Sequence, residues 1–288
     1  MIQVLQRHSL LLKDKADLTS ALLLCYPNHM RPRSKIVITF LVAACLATPY
    51  PSFADTITSK FSIQNSVFRE KPVGKRISYW AEAFVGTPYD TDLLGKYVRE
   101  ERIVADDAVD CMYLTFRAVE LALSRTPEEA VEKALDLRFR NRGKLDGERV
   151  INYDERFQYG EDMIDSGKWG REITSDIGRT EKIKGSRGSD EVAIIAKNEF
   201  LKISKGVPLV LHDGDIVFFI KSPEKRVVGE IVGHVGIISN KGGTPYLIHA
   251  SGTKKNSTSP GGGTVKSVML SGYLEDMRFV GVRVVRFR

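Results

Sequence analysis

The last third of the chain places the tightest limit on the fold. Ile216-Val217-Phe218-Phe219-Ile220, Gly233-His234-Val235-Gly236-Ile237-Ile238, Tyr246-Leu247-Ile248-His249-Ala250 and Val280 to Phe287 are short runs rich in β-branched and aromatic residues. The first is entered through the turn Asp213-Gly214-Asp215. Together they predict an antiparallel sheet.

Upstream the period changes. Val73 to Phe84 has helical spacing and runs into Val85-Gly86-Thr87-Pro88-Tyr89, where Gly and Pro end the helix and present Tyr89 from a loop. From Cys111, the residues Tyr113, Phe116, Val119 and Leu123 share one helical face, with Arg117, Glu120 and Ser124 on the other. Cys111 is therefore expected in the first turn of a helix. Thr126-Pro127-Glu128-Glu129 combines an N-cap, a proline at the first helical position and a Glu three residues after the cap. That helix is expected to end near Phe139. The fold class is α+β.

Arg140 to Lys205 is polar and rich in Gly and charge, with Tyr153, Phe157, Tyr159 and Trp169 scattered through it. It reads as an elaboration placed around a site rather than as a second core. Lys254 to Thr264, with Ser-Pro-Gly-Gly-Gly at 259–263, reads as a flexible connecting loop. No fixed-period repeat is evident, so a solenoid or propeller is not supported.

The N-terminal region reads as an export leader. Met30-Arg31-Pro32-Arg33-Ser34-Lys35 is a basic n-region, Ile36 to Ala47 an apolar stretch, and Ser52-Phe53-Ala54 offers small residues for cleavage after Ala54. The apolar stretch is shorter than the roughly 20 residues that span a bilayer. The expected organisation is a non-native upstream extension or disordered segment over 1–29, a signal peptide over 30–54, and one domain over 55–288 with an insertion at about 140–205. An exported, periplasmic protein follows. The alternative is a lipobox at Val42-Ala43-Ala44-Cys45, which would leave the protein tethered by lipid on Cys45.

The charge of +7 comes from 43 basic and 36 acidic residues. Removing the six basic and two acidic residues of 1–54 leaves 37 against 34, a net +3. That excess is too small to argue for nucleic acid as a partner.

After the leader, the chain keeps one cysteine, Cys111, and three histidines, His212, His234 and His249. A lone thiol cannot form an internal disulfide, and at a helix start the free amides and the positive end of the dipole favour thiolate over thiol. With His234 and His249 in strands, this points to a cysteine hydrolase: Cys111 as nucleophile, His234 as general base, His249 as the partner orienting its ring. Gly233 and Gly236 would leave room beside His234 for substrate or thiol. The oxyanion would be met by amides at the start of the Cys111 helix and by the Tyr89 hydroxyl. His212 precedes Asp-Gly-Asp and reads as a solvated turn residue. A metal site using His234, His249 and an Asp lacks His-x-x-x-His or paired-Cys spacing, so no metal or other cofactor is expected.

Gly86-Thr87-Pro88-Tyr89, Asp110-Cys111, Gly214-Asp215-Ile216-Val217-Phe218-Phe219, His234-Val235-Gly236-Ile237 and Ile248-His249-Ala250 resemble, in order and style, the NlpC/P60 cell-wall cysteine peptidases. More closely, Arg138-Phe139-Arg140, Arg156-Phe157-Gln158-Tyr159, the two histidine segments, Gly272-Tyr273-Leu274 and Gly281-Val282-Arg283-Val284 resemble the DUF1460 family, over nearly all of 73–288. That family is described as N-acetylmuramoyl-L-alanine amidase-like with a papain-like core, and some members act on anhydro-muropeptides. The resemblance implies a papain-like NlpC/P60 core with the nucleophile at a helix N-terminus packed on an antiparallel sheet, plus a helical and loop insertion. It implies an amidase attacking the lactyl carbonyl of muramic acid, with peptidoglycan fragments as partners. It carries the Cys111, His234 and His249 roles, matches Tyr89 to the tyrosine lining the nucleophile, and offers Asp110, Arg138, Arg140, Arg156 and Tyr159 as substrate-binding or oxyanion residues. Ion pairing within the insertion is the competing role for the arginines.

The sequence departs from the family pattern at Met112-Tyr113-Leu114-Thr115-Phe116, which lacks an expected acidic residue, and at Gln158, where a histidine is expected. Neither touches the three proposed catalytic residues. The alternatives are a D-glutamyl-diaminopimelate endopeptidase with the same thiol chemistry, and a non-catalytic wall-binding protein, for which a retained thiol would have no use.

Overall fold

The computed structural model describes residues 68–288 apart from Ser257. The expectations for 1–29, for the leader at 30–54 and for Cys45 lie outside the described residues. No helix among the described residues is long and apolar enough to cross a membrane.

Helix α1 (Val73–Ala83) is followed by the short α2 (Lys96–Arg99), then by α3 (Cys111–Ala122) and α4 (Pro127–Leu137). Helix α4 begins as the sequence signals require: Thr126 accepts the Glu129 amide, Pro127 opens the first turn, and Arg138 is the C-cap. Helix α3 departs from a simple amphipathic helix. Ten of its twelve residues are buried, including Arg117 and Glu120 of the polar face. Those charges are neutralised inside the protein: Arg117 pairs with Asp106 at 2.8 Å, and Arg138 grips Glu120 at 2.6 and 2.7 Å. Leu114, Phe116, Val119 and Leu121 of this helix each contribute about 1.5–3 kcal/mol by burial.

Residues 140–205 hold β1 (Leu145–Asp146), β2 (Arg149–Val150), α5 (Gly160–Ser166), β3 (Arg171–Glu172), α6 (Thr174–Ile177), β4 (Glu181–Lys184), β5 (Glu191–Ala196) and α7 (Lys197–Ser204). Then come β6 (Ile216–Ile220), β7 (Val232–Lys241), β8 (Thr244–Thr253), β9 (Gly262–Met269), α8 (Leu270–Asp276) and β10 (Gly281–Arg286). The main sheet runs β4-β5-β10-β6-β7-β8-β9, with β3 also paired to β10, and every pairing is antiparallel.

The stretch 140–205, expected as an elaboration placed around a site, also contributes to the main sheet and the core. Its β5 pairs with β10 inside the main sheet, and Trp169, Met163, Ile194, Ile195 and Phe200 are core residues. One correction is β9, which claims Gly262 to Met269 where a flexible loop was expected to extend to Thr264.

Strand β6 shows why the sheet is central. Ile216, Phe218 and Ile220 enter one apolar cluster with α1 and α3, while Val217 and Phe219 enter another with Phe200, Leu270 and Leu274. An unbroken apolar run is what a strand buried on both faces requires. Helices α1 and α3 therefore pack on one face of the sheet, and α7 and α8 on the other. His212 is exposed at the Asp213-Gly214-Asp215 turn, as its sequence context predicts.

Candidate active site

Cys111 owes its position to Asp110. The Asp110 backbone is extended, and its Oδ1 accepts the Tyr113 amide at 2.9 Å, so the helix starts at the cysteine. The sulfur is half-buried, and the backbone amides of Val235 and Met112 act to favour its anionic form. Val235 directly follows His234. Helix α3 thus delivers the thiol to the stretch of β7 that carries the first histidine.

The sheet is interrupted there. Strands β7 and β8 pair from Lys241–Thr244 only as far as Ile237–Ile248, whereas β8 goes on pairing with β9 to Thr253–Gly262. On the other side of β7 the register slips between Phe219–His234 and Ile220–Val232, leaving Gly233 as an extra residue. Such bulges re-aim neighbouring side chains. Where the ladder ends, His234 Nε2 lies 2.9 Å from His249 Nδ1, with the rings edge to face at 87°. The rings are walled by Phe279, stacked on His234 at 6.4 Å, and by Tyr273, 4.9 Å from His249.

The glycines here serve packing rather than substrate. A Cβ on Gly233 would meet the Phe279 and Lys221 side chains, and one on Gly236 would meet Leu247 and the Ile248 carbonyl. The close approach that matters is at Gly252, where a Cβ would stand 2.2 Å from Tyr89 Cγ. Tyr89 is fixed further by its amide, which donates to the Gly263 carbonyl at 2.8 Å.

Burial controls the protonation of the site. It pushes the Cys111 thiol up to about 12, with the Asp110 carboxylate adding to the effect, while the Val235 amide, Lys254 and the Met112 amide act against it. Helix-start activation is therefore outweighed at rest, contrary to expectation. Burial also lowers His234 to about 3 and His249 to about 4, with His249 and Arg278 adding on the first ring and Lys266 on the second. At neutral pH the site holds a thiol and two neutral imidazoles. Tyr89 and Tyr273 are both pushed up by burial and then by the Cys111 sulfur, so each presents a protonated hydroxyl.

Of the remaining sequence candidates, Asp110 is a cap and an ion-pair partner; as a carboxylate it accepts hydrogen bonds and cannot donate to an oxyanion. Arg138 is 1% exposed, bound to Glu120 and stacked over Tyr113 and Phe116, which makes it a core residue. Arg140 is exposed, Arg156 lies over Tyr153 and donates to its carbonyl, and Tyr159 is covered by Arg187 at 3.7 Å. Among the described residues, none of these contacts joins the four to Cys111, His234 or His249.

Sequence reasoning missed two neighbours of the site. Lys254 donates to Asp110 Oδ2 and to the Asp90 carbonyl, each at 3.1 Å, and lies 5.3 Å from the Tyr89 ring centre. It was hidden in a stretch whose Gly, Ser and Pro content signals only a loop. Tyr273 sits on α8, a helix with little local signature, and only its place in Gly272-Tyr273-Leu274 marked it. Beside His249, a groove of about 440 Å³ is bordered by Lys266, Val268, Tyr273 and Met277.

No family model matches the sequence, and no curated protein matches it. Solved structures do share its fold. An N-acetylmuramoyl-L-alanine amidase from Bacteroides uniformis is similar with a TM-score of 0.57 and 24% identity, over 75% of this chain and 99% of that one. A Legionella pneumophila protein assigned to DUF1460 is similar with a TM-score of 0.55 and 15% identity, over 80% of this chain and 92% of that one. A Bacteroides fragilis protein provisionally described as a xylanase is similar with a TM-score of 0.54 and 22% identity, over 73% of this chain and 99% of that one. These likenesses establish the fold.

Proposed function

We propose that this chain is a cysteine amidase of the papain-like NlpC/P60 type that hydrolyses the N-acetylmuramoyl-L-alanine amide of muropeptides, including anhydro-muropeptides. The carrying observation is a cysteine at the start of a helix packed on the strand of His234, a histidine that is itself 2.9 Å from a second histidine. Support comes from the fold shared with a protein named for that amidase activity and with a DUF1460 protein. The reading includes export of the protein and a single domain over 55–288.

In the proposed reaction, His234 uses Nε2 to meet His249, which leaves Nδ1 for the thiol proton. For Nδ1 to accept, Nε2 carries the hydrogen and donates it to His249 Nδ1, so His249 is the neutral acceptor that its lowered pKa keeps it. As the sulfur attacks the lactyl carbonyl, the thiol proton passes to His234 and the carbonyl oxygen becomes an oxyanion. Amides at the start of α3 and the Tyr89 hydroxyl stabilise that charge. The carbon–nitrogen bond then breaks, His234 returns the proton to the leaving L-alanine amine, and a thioester remains on Cys111. Water activated by His234 adds to the thioester, releasing the muramoyl acid and restoring the thiol.

A defined anhydro-disaccharide-tetrapeptide tests the assignment, with products identified by mass spectrometry. Wild type should release the anhydro-disaccharide and an intact tetrapeptide beginning with L-alanine, and Cys111→Ala should release neither. A shortened stem would instead indicate the D-glutamyl-diaminopimelate endopeptidase. Unchanged hydrolysis by Cys111→Ala would remove the nucleophile assignment.

A further inference from the structure

The loop after β8 reaches back to the nucleophile. The Lys255 amide donates to the Thr91 carbonyl at 2.7 Å, and the Lys254 ammonium is held between the Asp90 carbonyl and Asp110 Oδ2. The other oxygen of Asp110 caps α3 and sets where Cys111 stands. A carboxylate is thus fixed beside a sulfur that must become negative during attack. By itself this arrangement opposes catalysis, since like charges disfavour ionisation.

We infer that Lys254 is a positioning residue that acts through Asp110: by pairing with the cap carboxylate, it lets the helix keep its cap without placing an uncompensated anion beside the developing thiolate. Lys254 then belongs to the active site, and the turn that carries it is more than a connector. The inference rests on the reading of Cys111 as the nucleophile, and it holds whichever amide is cleaved. Groups acting on the sulfur are Asp110 at the cap of α3, the amides of Met112 on α3 and Val235 on β7, and Lys254 after β8, whereas Tyr89 in the loop after α1 and Tyr273 on α8 are themselves raised by the sulfur, and Arg278 acts on Tyr273 and His234. Among the groups acting on the sulfur, Lys254 supplies the positive charge.

The pairing is also compatible with chemistry at the site, because Lys254 is only half-buried and its Nζ has no second carboxylate to satisfy among the described residues. An ion pair of this exposure adds little to stability. Its value lies in the local potential at the sulfur.

The test is alkylation of Cys111 in the full chain by iodoacetamide, followed across pH at the Cys111 peptide by mass spectrometry, so that no substrate is needed. Lys254→Met should slow alkylation at neutral pH by about tenfold or more and move its pH midpoint upward. Lys254→Arg should remain close to wild type. The double variant Asp110→Asn with Lys254→Met should recover the wild-type rate, because asparagine still caps the helix and no anion is left to neutralise. A loop that merely collapsed without Lys254 would leave the double variant slow, and that result overturns the inference, as does an unchanged rate in Lys254→Met. If these alkylation results hold while the muropeptide is not cleaved, the substrate assignment fails and the role of Lys254 stands.

Discussion

His234 Nε2 and His249 Nδ1 face each other at 2.9 Å where strands β7 and β8 have stopped pairing. The bond joins two rings that burial keeps uncharged. One imidazole is thereby aimed by the other. No carboxylate is needed for that purpose.

Replacement of His249 therefore separates aiming from base catalysis. His249→Asn retains a side-chain acceptor at that position and is expected to lower kcat by about 10–100-fold, with KM little changed; His249→Ala should lose more. Steady-state kinetics on the defined muropeptide measures both. Equal losses in the two variants would mean that the acceptor is irrelevant.

Stability should depend on pH through the same pair. The folded rings bind protons only near pH 3 and 4, whereas an unfolded imidazole titrates near about 6.5. Both pKa values are depressed by folding, so the stabilisation is complete above about 6.5 and is lost as pH falls toward 4, because the unfolded chain takes up protons that the folded one refuses. Urea midpoints at pH 7.5, 5.5 and 4.5 should fall in that order. The double variant His234→Gln with His249→Gln should show a shallower decline, and an identical slope would assign the effect to other groups.

Gly252→Ala is expected to displace Tyr89. The added methyl would overlap the ring at Cγ, and overpacking of this kind costs about 1–3 kcal/mol. Thermal unfolding should register that loss, and hydrolysis should fall further than stability alone explains because the Tyr89 hydroxyl moves relative to Cys111. Ordinary activity in a stably folded Gly252→Ala would count against Tyr89 as an oxyanion donor.

The charge cluster that α3 buries offers a purely structural test. Glu120 is fully buried and holds Arg138 through two short bonds, with Arg117 at 3.2 Å. Glu120→Ala leaves buried guanidinium charge unmatched and should destabilise by about 3–5 kcal/mol. Denaturant titration will show it. A loss below 1 kcal/mol would mean that the arginines find other partners.

Much of this architecture could be read from residue patterns. The Thr126-Pro127 helix start, the helix at Cys111 and the strands at β6, β7, β8 and β10 all follow from local rules of capping and period. Strand β9 was concealed because its first two residues are glycines, which signal a turn when read alone. The buried face of α3 was misleading for another reason: Arg117 and Glu120 look solvent-facing until Asp106 and Arg138 are brought to them by the tertiary fold. Arg138 was drawn into the site by resemblance, although its place is in the core. Lys254 stayed invisible because it lies 144 residues from Asp110, and no local pattern marks such a pairing.

The placement of β5 against β10 has a consequence for any shortened version of this chain. Excising 140–205 would strip one flank of β10 and expose its backbone donors and acceptors alongside Val282 and Val284. The product would be an adhesive sheet margin, prone to self-association, rather than a minimal catalyst.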